Sequence, residues 1–252
     1  MIETYFWPVA ILAVFIVALA KSGLLGSIGV VGVPLLTLVM PAREAAGMML
    51  PVLLVMDAIG LVAYRREIDR RNLLILLPGA MVGIGVGWLF FSMVTEQMVL
   101  LGVGIITLLF ILDAVFPIRS KISGIKPSRP WGVFWGGIAG FTSFVSHTGG
   151  PPYQVYVLPQ RLTPSVYAGT TAWFFAIVNT TKLVPYYFLG QLSVANLERA
   201  LLLAPVAVAG MALGIYLVRR ISIQLFYRLA YGLVFLLALK LIYDGVTGIF
   251  LA

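Results

Sequence analysis

Cysteine is absent from all 252 residues, which removes disulfides, thiolate nucleophiles and cysteine metal sites together. Charge is scarce as well. Only 10% of the residues are Asp, Glu, Lys or Arg, against about a quarter in an ordinary soluble domain. Histidine occurs once, as His147. Neither an HExxH pattern nor a paired-aspartate motif is present, so two common hydrolase signatures are missing. The N-terminus has no basic stretch and no clear cleavage site, so YFWPVAILAVFIVALA reads as a retained membrane helix, not a secretory signal. No cofactor and no metal is expected.

What the chain has in abundance is apolar surface, with 61% hydrophobic residues. A protein of this length folded in water cannot hide so much of it, so lipid is the solvent and an all-α integral membrane protein is predicted. The net charge of +8 is gathered in short loops such as RREIDRRN (65–72) and PIRSKISGIKPSRP (117–130). That pattern is the positive-inside bias of a membrane protein, and no nucleic-acid partner is expected.

Apolar runs bounded by charge, Gly or Pro predict helical segments at 4–21, 24–40, 43–64, 73–92, 97–116, 131–146, 149–159, 164–189, 198–218 and 222–245. A spanning helix needs about 20 residues. The stretch 149–159 is too short for that and reads as a half-helix or re-entrant segment.

The two halves of the chain echo each other. Pro34 and Pro41 match Pro152 and Pro159 at a shift of 118. Gly47, Asp57 and Tyr64 match Gly169, Asn179 and Tyr186 at a shift of 122. Pro78, Gly83 and Gly87 match Pro205, Gly210 and Gly214 at a shift of 127. The expected plan is a first membrane repeat over 1–118, a basic cytoplasmic linker over 119–130 and a second membrane repeat over 131–252. Each repeat is a broken or re-entrant helix pair plus three spanning helices, and this odd count makes the repeats inverted. With both termini periplasmic, Arg65, Arg66, Arg70, Arg71, Arg119, Lys121, Lys126, Arg129, Arg161, Arg219 and Arg220 all fall on the cytoplasmic side.

Each half carries one Gly/Pro break, SIGVVGVP (27–34) and SHTGGPP (146–152). Glycine allows close backbone approach and positive φ, and proline suits the first turn of a helix. Such a break turns the free N–H groups of a new helix inward, where they favour an anion. The candidate substrate-binding residues there are Ser27, Gly29, Gly32, His147, Thr148, Gly149 and Gly150. Lys182 lies within a span, where a charge is costly and marks function by default. Asn179 shares its helix face, and Thr170 and Thr171 add hydroxyls. Asp57, the repeat partner of Asn179, is either a proton-coupling carboxylate or a counter-ion to Lys182. His147 is a second candidate for proton coupling. Gly79, Gly83 and Gly87 suit close helix packing, within the fold or in a homodimer.

The stretches HTGGPP (147–152), AGTTAWFFAIVNTTK (168–182) and AAGMMLPVLLVMDAIG (45–60) carry a resemblance to the sulfite exporter TauE/SafE family, extending from about residue 8 to 247. The family's first break commonly has adjacent glycines, whereas here Val30 and Val31 separate Gly29 from Gly32. The resemblance implies a bacterial inner-membrane permease that exports sulfite, thiosulfate or a sulfonate. A secondary transporter working by alternating access around a midplane site at the two breaks is therefore expected, and not an enzyme. The alternatives are a passive anion channel and an intramembrane hydrolase built on Ser27 and His147.

Overall fold

The computed structural model describes residues 2–23, 29, 32–91, 93, 95, 97–98, 100–102, 104–105, 107–108 and 127–250. Among these residues the structure is helical, without strands. The helices are α1 (Ile2–Lys21), α2 (Gly32–Leu36), α3 (Ala42–Ala63), α4 (Arg70–Leu89), α5 (Arg129–Ser146), α6 (Gly150–Val157), α7 (Pro164–Phe188), α8 (Val194–Val218) and α9 (Ile223–Phe250). Three described helices are long and apolar enough to cross a membrane: Arg43–Ala63, Arg70–Leu89 and Val194–Val218.

Most expected segments are found within a few residues of their predicted ends. α8 starts at Val194 and not 198, because the Ser193 hydroxyl accepts the Asn196 N–H at 3.2 Å and caps the helix, and α9 runs on to Phe250 and not 245. Of the segment 24–40, α-helix among the described residues is limited to Gly32–Leu36. Most of 97–116, and Asp113 with it, lies outside the described residues. The short segment after the second break is helical over Gly150–Val157 and then 3-10 over Leu158–Gln160. Eight residues rise about 12 Å, too little to span.

The chain forms two compact units, each drawing on both halves of the sequence. The first comprises Met1–Asp69 and Pro164–Ile221. Here α1 and α8 run parallel, Gly210 sitting over Ala18 and Gly214 over Ser22. In contrast α3 and α7 run antiparallel. Gly47 lies against Gln191, Asp57 against Asn179, Gly60 against Ala172 and Tyr64 against Ala168. Val17 of α1, Leu36 of α2, Met49 and Met56 of α3 and Leu203 and Met211 of α8 make its core. One end of the unit is tied by polar contacts. The Tyr64 hydroxyl donates to the Ser22 carbonyl at 2.8 Å, and Arg219 donates to the Ala63 carbonyl at 2.8 Å.

The second unit comprises Arg70–Thr163 and Ser222–Ala252. Its main feature is a parallel glycine seam between α4 and α5. A methyl group on Gly79, Gly83, Gly136 or Gly140 would overlap a main-chain carbonyl of the facing helix. Removing four side chains brings the two backbones together, the arrangement small residues allow between membrane helices. The stripe Gly79, Gly83, Gly87 therefore serves the fold, Gly87 packing under Phe144. Helix α6 folds back along α5, where the Tyr156 hydroxyl donates to the Ser128 carbonyl at 3.1 Å. Asn72 and Gln160 exchange amide hydrogen bonds of 2.8 and 3.1 Å at the same end.

Candidate functional site

Within the first unit the structure gathers charge where a membrane protein can least tolerate it. Asp57 is 3% exposed and Lys182 is fully buried, and these are the buried charged residues among those described. One oxygen of the Asp57 carboxylate lies 2.6 Å from the ammonium group of Lys21, and the other accepts the Asn179 amide N–H at 2.7 Å. Lys21 also stands over the ring of Phe175, 5.5 Å from its centre, a cation–π contact that stabilises a partly desolvated ammonium. Lys182 follows Asn179 by three residues on the same face of α7, within reach of the charges of both Lys21 and Asp57. The cluster thus holds two lysines, one carboxylate and one amide.

Lys21 was missed by the sequence reading. It stands in the last turn of α1, where a lysine resembles an ordinary interfacial residue. The available signal was Asp57 itself: a buried acid requires a cation, and Lys21 lies six residues before the first break.

The remaining candidates are distributed as follows. Thr170 donates to the Val166 carbonyl at 2.7 Å and accepts the Asp69 N–H at 2.9 Å. It anchors the chain entering α4 and is not brought to Asn179. Thr171 is buried and donates to the Tyr167 carbonyl at 2.7 Å. A methyl on Gly32 would overlap Val17, so this glycine lets α2 lie against α1. Gly29 is half-buried near Ala20. Ser27 lies outside the described residues.

The second break, in the second unit, corrects the expected backbone. Gly149 has φ −70° and ψ −14°, a right-handed conformation, and His147 is the residue in the left-handed region, with φ 55° and ψ 23°. The Thr148 N–H bonds the Thr142 carbonyl at 3.3 Å and the His147 N–H bonds that of Ser143 at 3.2 Å. This is how a glycine-terminated helix usually ends, with histidine in the glycine's place. After the first break's helix the left-handed residue is a glycine, Gly23, at φ +96°. The Thr148 hydroxyl lies 2.7 Å from that of Ser146 and is buried with it. The donor set is also smaller than expected. Pro151 and Pro152 have no N–H, and that of Tyr153 bonds the Gly149 carbonyl at 3.2 Å, so none of these three offers a free backbone donor to an anion.

Apolar spanning helices that enclose a buried cluster of ammonium, carboxylate and amide groups define a polytopic membrane protein with a polar interior. A model of the sulfite exporter TauE/SafE family matches residues 10–241, and the chain belongs to that family, whose members are transporters of sulfite or related anions. No curated protein and no solved structure matches significantly.

Proposed function

We propose that this protein is a secondary transporter that exports a small sulfur-containing anion, sulfite or an organosulfonate, across the bacterial inner membrane by alternating access. The substrate site is the Lys21–Asp57–Asn179–Lys182 cluster. The observation that carries this reading is the fully buried Lys182, three residues beyond the Asn179 that holds the Lys21–Asp57 ion pair. A buried cation inside a membrane helix is costly, and an oxyanion beside it lowers that cost. Export is downhill: with the interior negative, an outgoing monovalent anion gains about 2.3 kcal/mol per 100 mV.

Alternating access in such carriers rests on inverted repeats, and the packing supports them. Asp57 and Asn179, matched at a shift of 122 between the halves, hydrogen-bond each other, as equivalent residues on a twofold axis do. The parallel contacts α4 with α5 and α1 with α8 are one contact made twice, with the matched glycines 83 and 210, and 87 and 214, at the interface each time. The antiparallel run of α3 against α7 suits a cytoplasmic loop at 65–69 and periplasmic termini.

His147 adds a separate argument. A histidine held in a left-handed conformation where the other half uses glycine is strain kept for a reason, and we assign its imidazole to substrate or proton handling. Radiolabelled sulfite counterflow in proteoliposomes tests the whole. Saturable exchange in the wild type, lost in Lys182→Ala and reduced in His147→Ala, is the expected result. Flux driven by potential alone, without counterflow, replaces the carrier with a channel.

A further inference from the structure

The open side of the seam between α4 and α5 is a groove that the transport reading does not use. It is an apolar trough of about 420 Å³, a volume typical of small-ligand clefts. Val82, Val86, Val133, Phe134 and Phe141 line it. Val82 and Phe134 are more than half exposed, and α4 is long and apolar enough to cross a membrane, so the groove opens to lipid. Gly137 lines it too, although the packing of the two helices does not require a glycine there. A methyl on Gly137 would come no nearer to α4 than 3.6 Å, from the Gly79 carbonyl oxygen, whereas one on Gly79, Gly83, Gly136 or Gly140 would overlap main chain. What the missing side chain of Gly137 leaves open is the groove.

One end of the groove is basic. Arg70 and Arg71 begin α4, Arg129 begins the parallel α5, and all three are exposed. Arg71 lies about three helical turns before Val82 on the same face, and Arg129 about one turn before Val133. Exposed Trp131 packs edge-on against Phe134 with ring centres 6.0 Å apart, which carries the aromatic wall of the groove towards the arginines. Tryptophan and arginine at a helix end mark the headgroup level of a membrane. An apolar trough that leads from this level into the span, with cations at its mouth, complements a phospholipid in both charge and polarity.

We infer that this groove holds one anionic phospholipid, with an acyl chain along Val82, Gly137 and Phe141 and the headgroup phosphate at Arg71 and Arg129. Bilayer chains are as apolar as the groove, so burial alone selects no lipid. Filling the trough contributes dispersion contacts. The arginines choose the headgroup, each adding about fivefold in affinity.

The test is a lipid titration of the delipidated full chain in detergent, read by native mass spectrometry and by thermal unfolding. Dioleoyl phosphatidylglycerol should bind at one per chain, at least about tenfold tighter than dioleoyl phosphatidylcholine. Arg71→Gln and Arg129→Gln should each weaken phosphatidylglycerol about fivefold and leave phosphatidylcholine unchanged. Arg66→Gln, an exposed arginine of the first unit, should alter neither. Gly137→Leu occupies the groove and should weaken both lipids. Gly137→Ala covers a failure of that variant to fold: without lipid it should melt no lower than the wild type, and it should gain less on adding phosphatidylglycerol. Glycerol 3-phosphate, which has the phosphate without the chains, should give no stabilisation. Equal affinity for the two lipids, or undiminished phosphatidylglycerol binding by Gly137→Leu and Gly137→Ala, overturns the site. Stabilisation by glycerol 3-phosphate overturns the lipid in favour of a free phosphate. A dimer that persists without lipid and dissociates in Gly137→Leu overturns it in favour of a second copy of the chain.

Discussion

Replacing Gly83 by alanine probes the contact on which the second unit depends. The added methyl would fall on the Gly137 carbonyl oxygen and lie 2.8 Å from the Phe141 nitrogen. Carbon and oxygen normally approach no closer than about 3.3 Å, so α4 and α5 must part by roughly 1 Å. Both obstructing atoms are main chain, and no rotamer change relieves them. A gap of that size forfeits about a quarter to a half of each dispersion contact along the seam, and overpacking of this kind costs roughly 1–3 kcal/mol. We expect the upper end, about 3 kcal/mol, because the displacement is shared by Gly79, Gly136 and Gly140. At about 2–4 °C per kcal/mol for a chain of this size, the midpoint of thermal unfolding in detergent should fall by roughly 6–12 °C. Gly85 lies on the same helix with nothing within 4 Å of an added Cβ. Gly85→Ala should therefore be neutral or stabilising by up to about 1 kcal/mol, the difference in helix propensity. Adding Gly79→Ala to Gly83→Ala should cost less than Gly79→Ala alone, since the helices are already apart. Gly83→Ala melting together with Gly85→Ala would refute a main-chain seam.

His147→Gly should raise the unfolding midpoint, because a non-glycine residue in the left-handed region costs about 1–2 kcal/mol; counterflow by the same variant should fall, and a destabilised variant would contradict the observed φ of 55°. Tyr64→Phe removes the hydroxyl that donates to the Ser22 carbonyl at 2.8 Å and should cost about 1–3 kcal/mol in thermal or denaturant unfolding, since that buried acceptor loses its partner. Asn72→Ala and Gln160→Ala should each destabilise the second unit, and a double-mutant cycle should return a coupling of about 0.5–3 kcal/mol. Strict additivity would mean that the reciprocal amide pair of 2.8 and 3.1 Å does not form in solution.

Much of this architecture was legible along the chain. Composition alone identifies lipid as the solvent, because 61% hydrophobic residues exceed what an aqueous fold of this length can bury. Helix ends at Lys21, Ala63, Ser146 and Val218 follow from local punctuation by charge, glycine and proline. The matched positions of Asp57 and Asn179, read as a repeat, turned out to be bonded neighbours. Lys182 was legible as well, since a charge in mid-span is conspicuous against its apolar neighbours.

Other features were decided by tertiary structure. Nothing in the pattern pairs Lys21 with Asp57, because an ion pair between two helices depends on how each is rotated about its axis, and periodicity does not encode that. Thr170 and Asn179 look equally eligible as ligands in sequence, yet α7 turns one to the Asp69 backbone and the other to the Asp57 carboxylate. The glycine stripe on α4 indicates close packing but not its partner, which α5 provides through its own glycines. His147, too, takes the left-handed position that residue type alone would give to Gly149 or Gly150. Local sequence sets which segments are helical and which solvent they face. The register and rotation of those helices against one another, a property of the whole packing, set which buried charges meet.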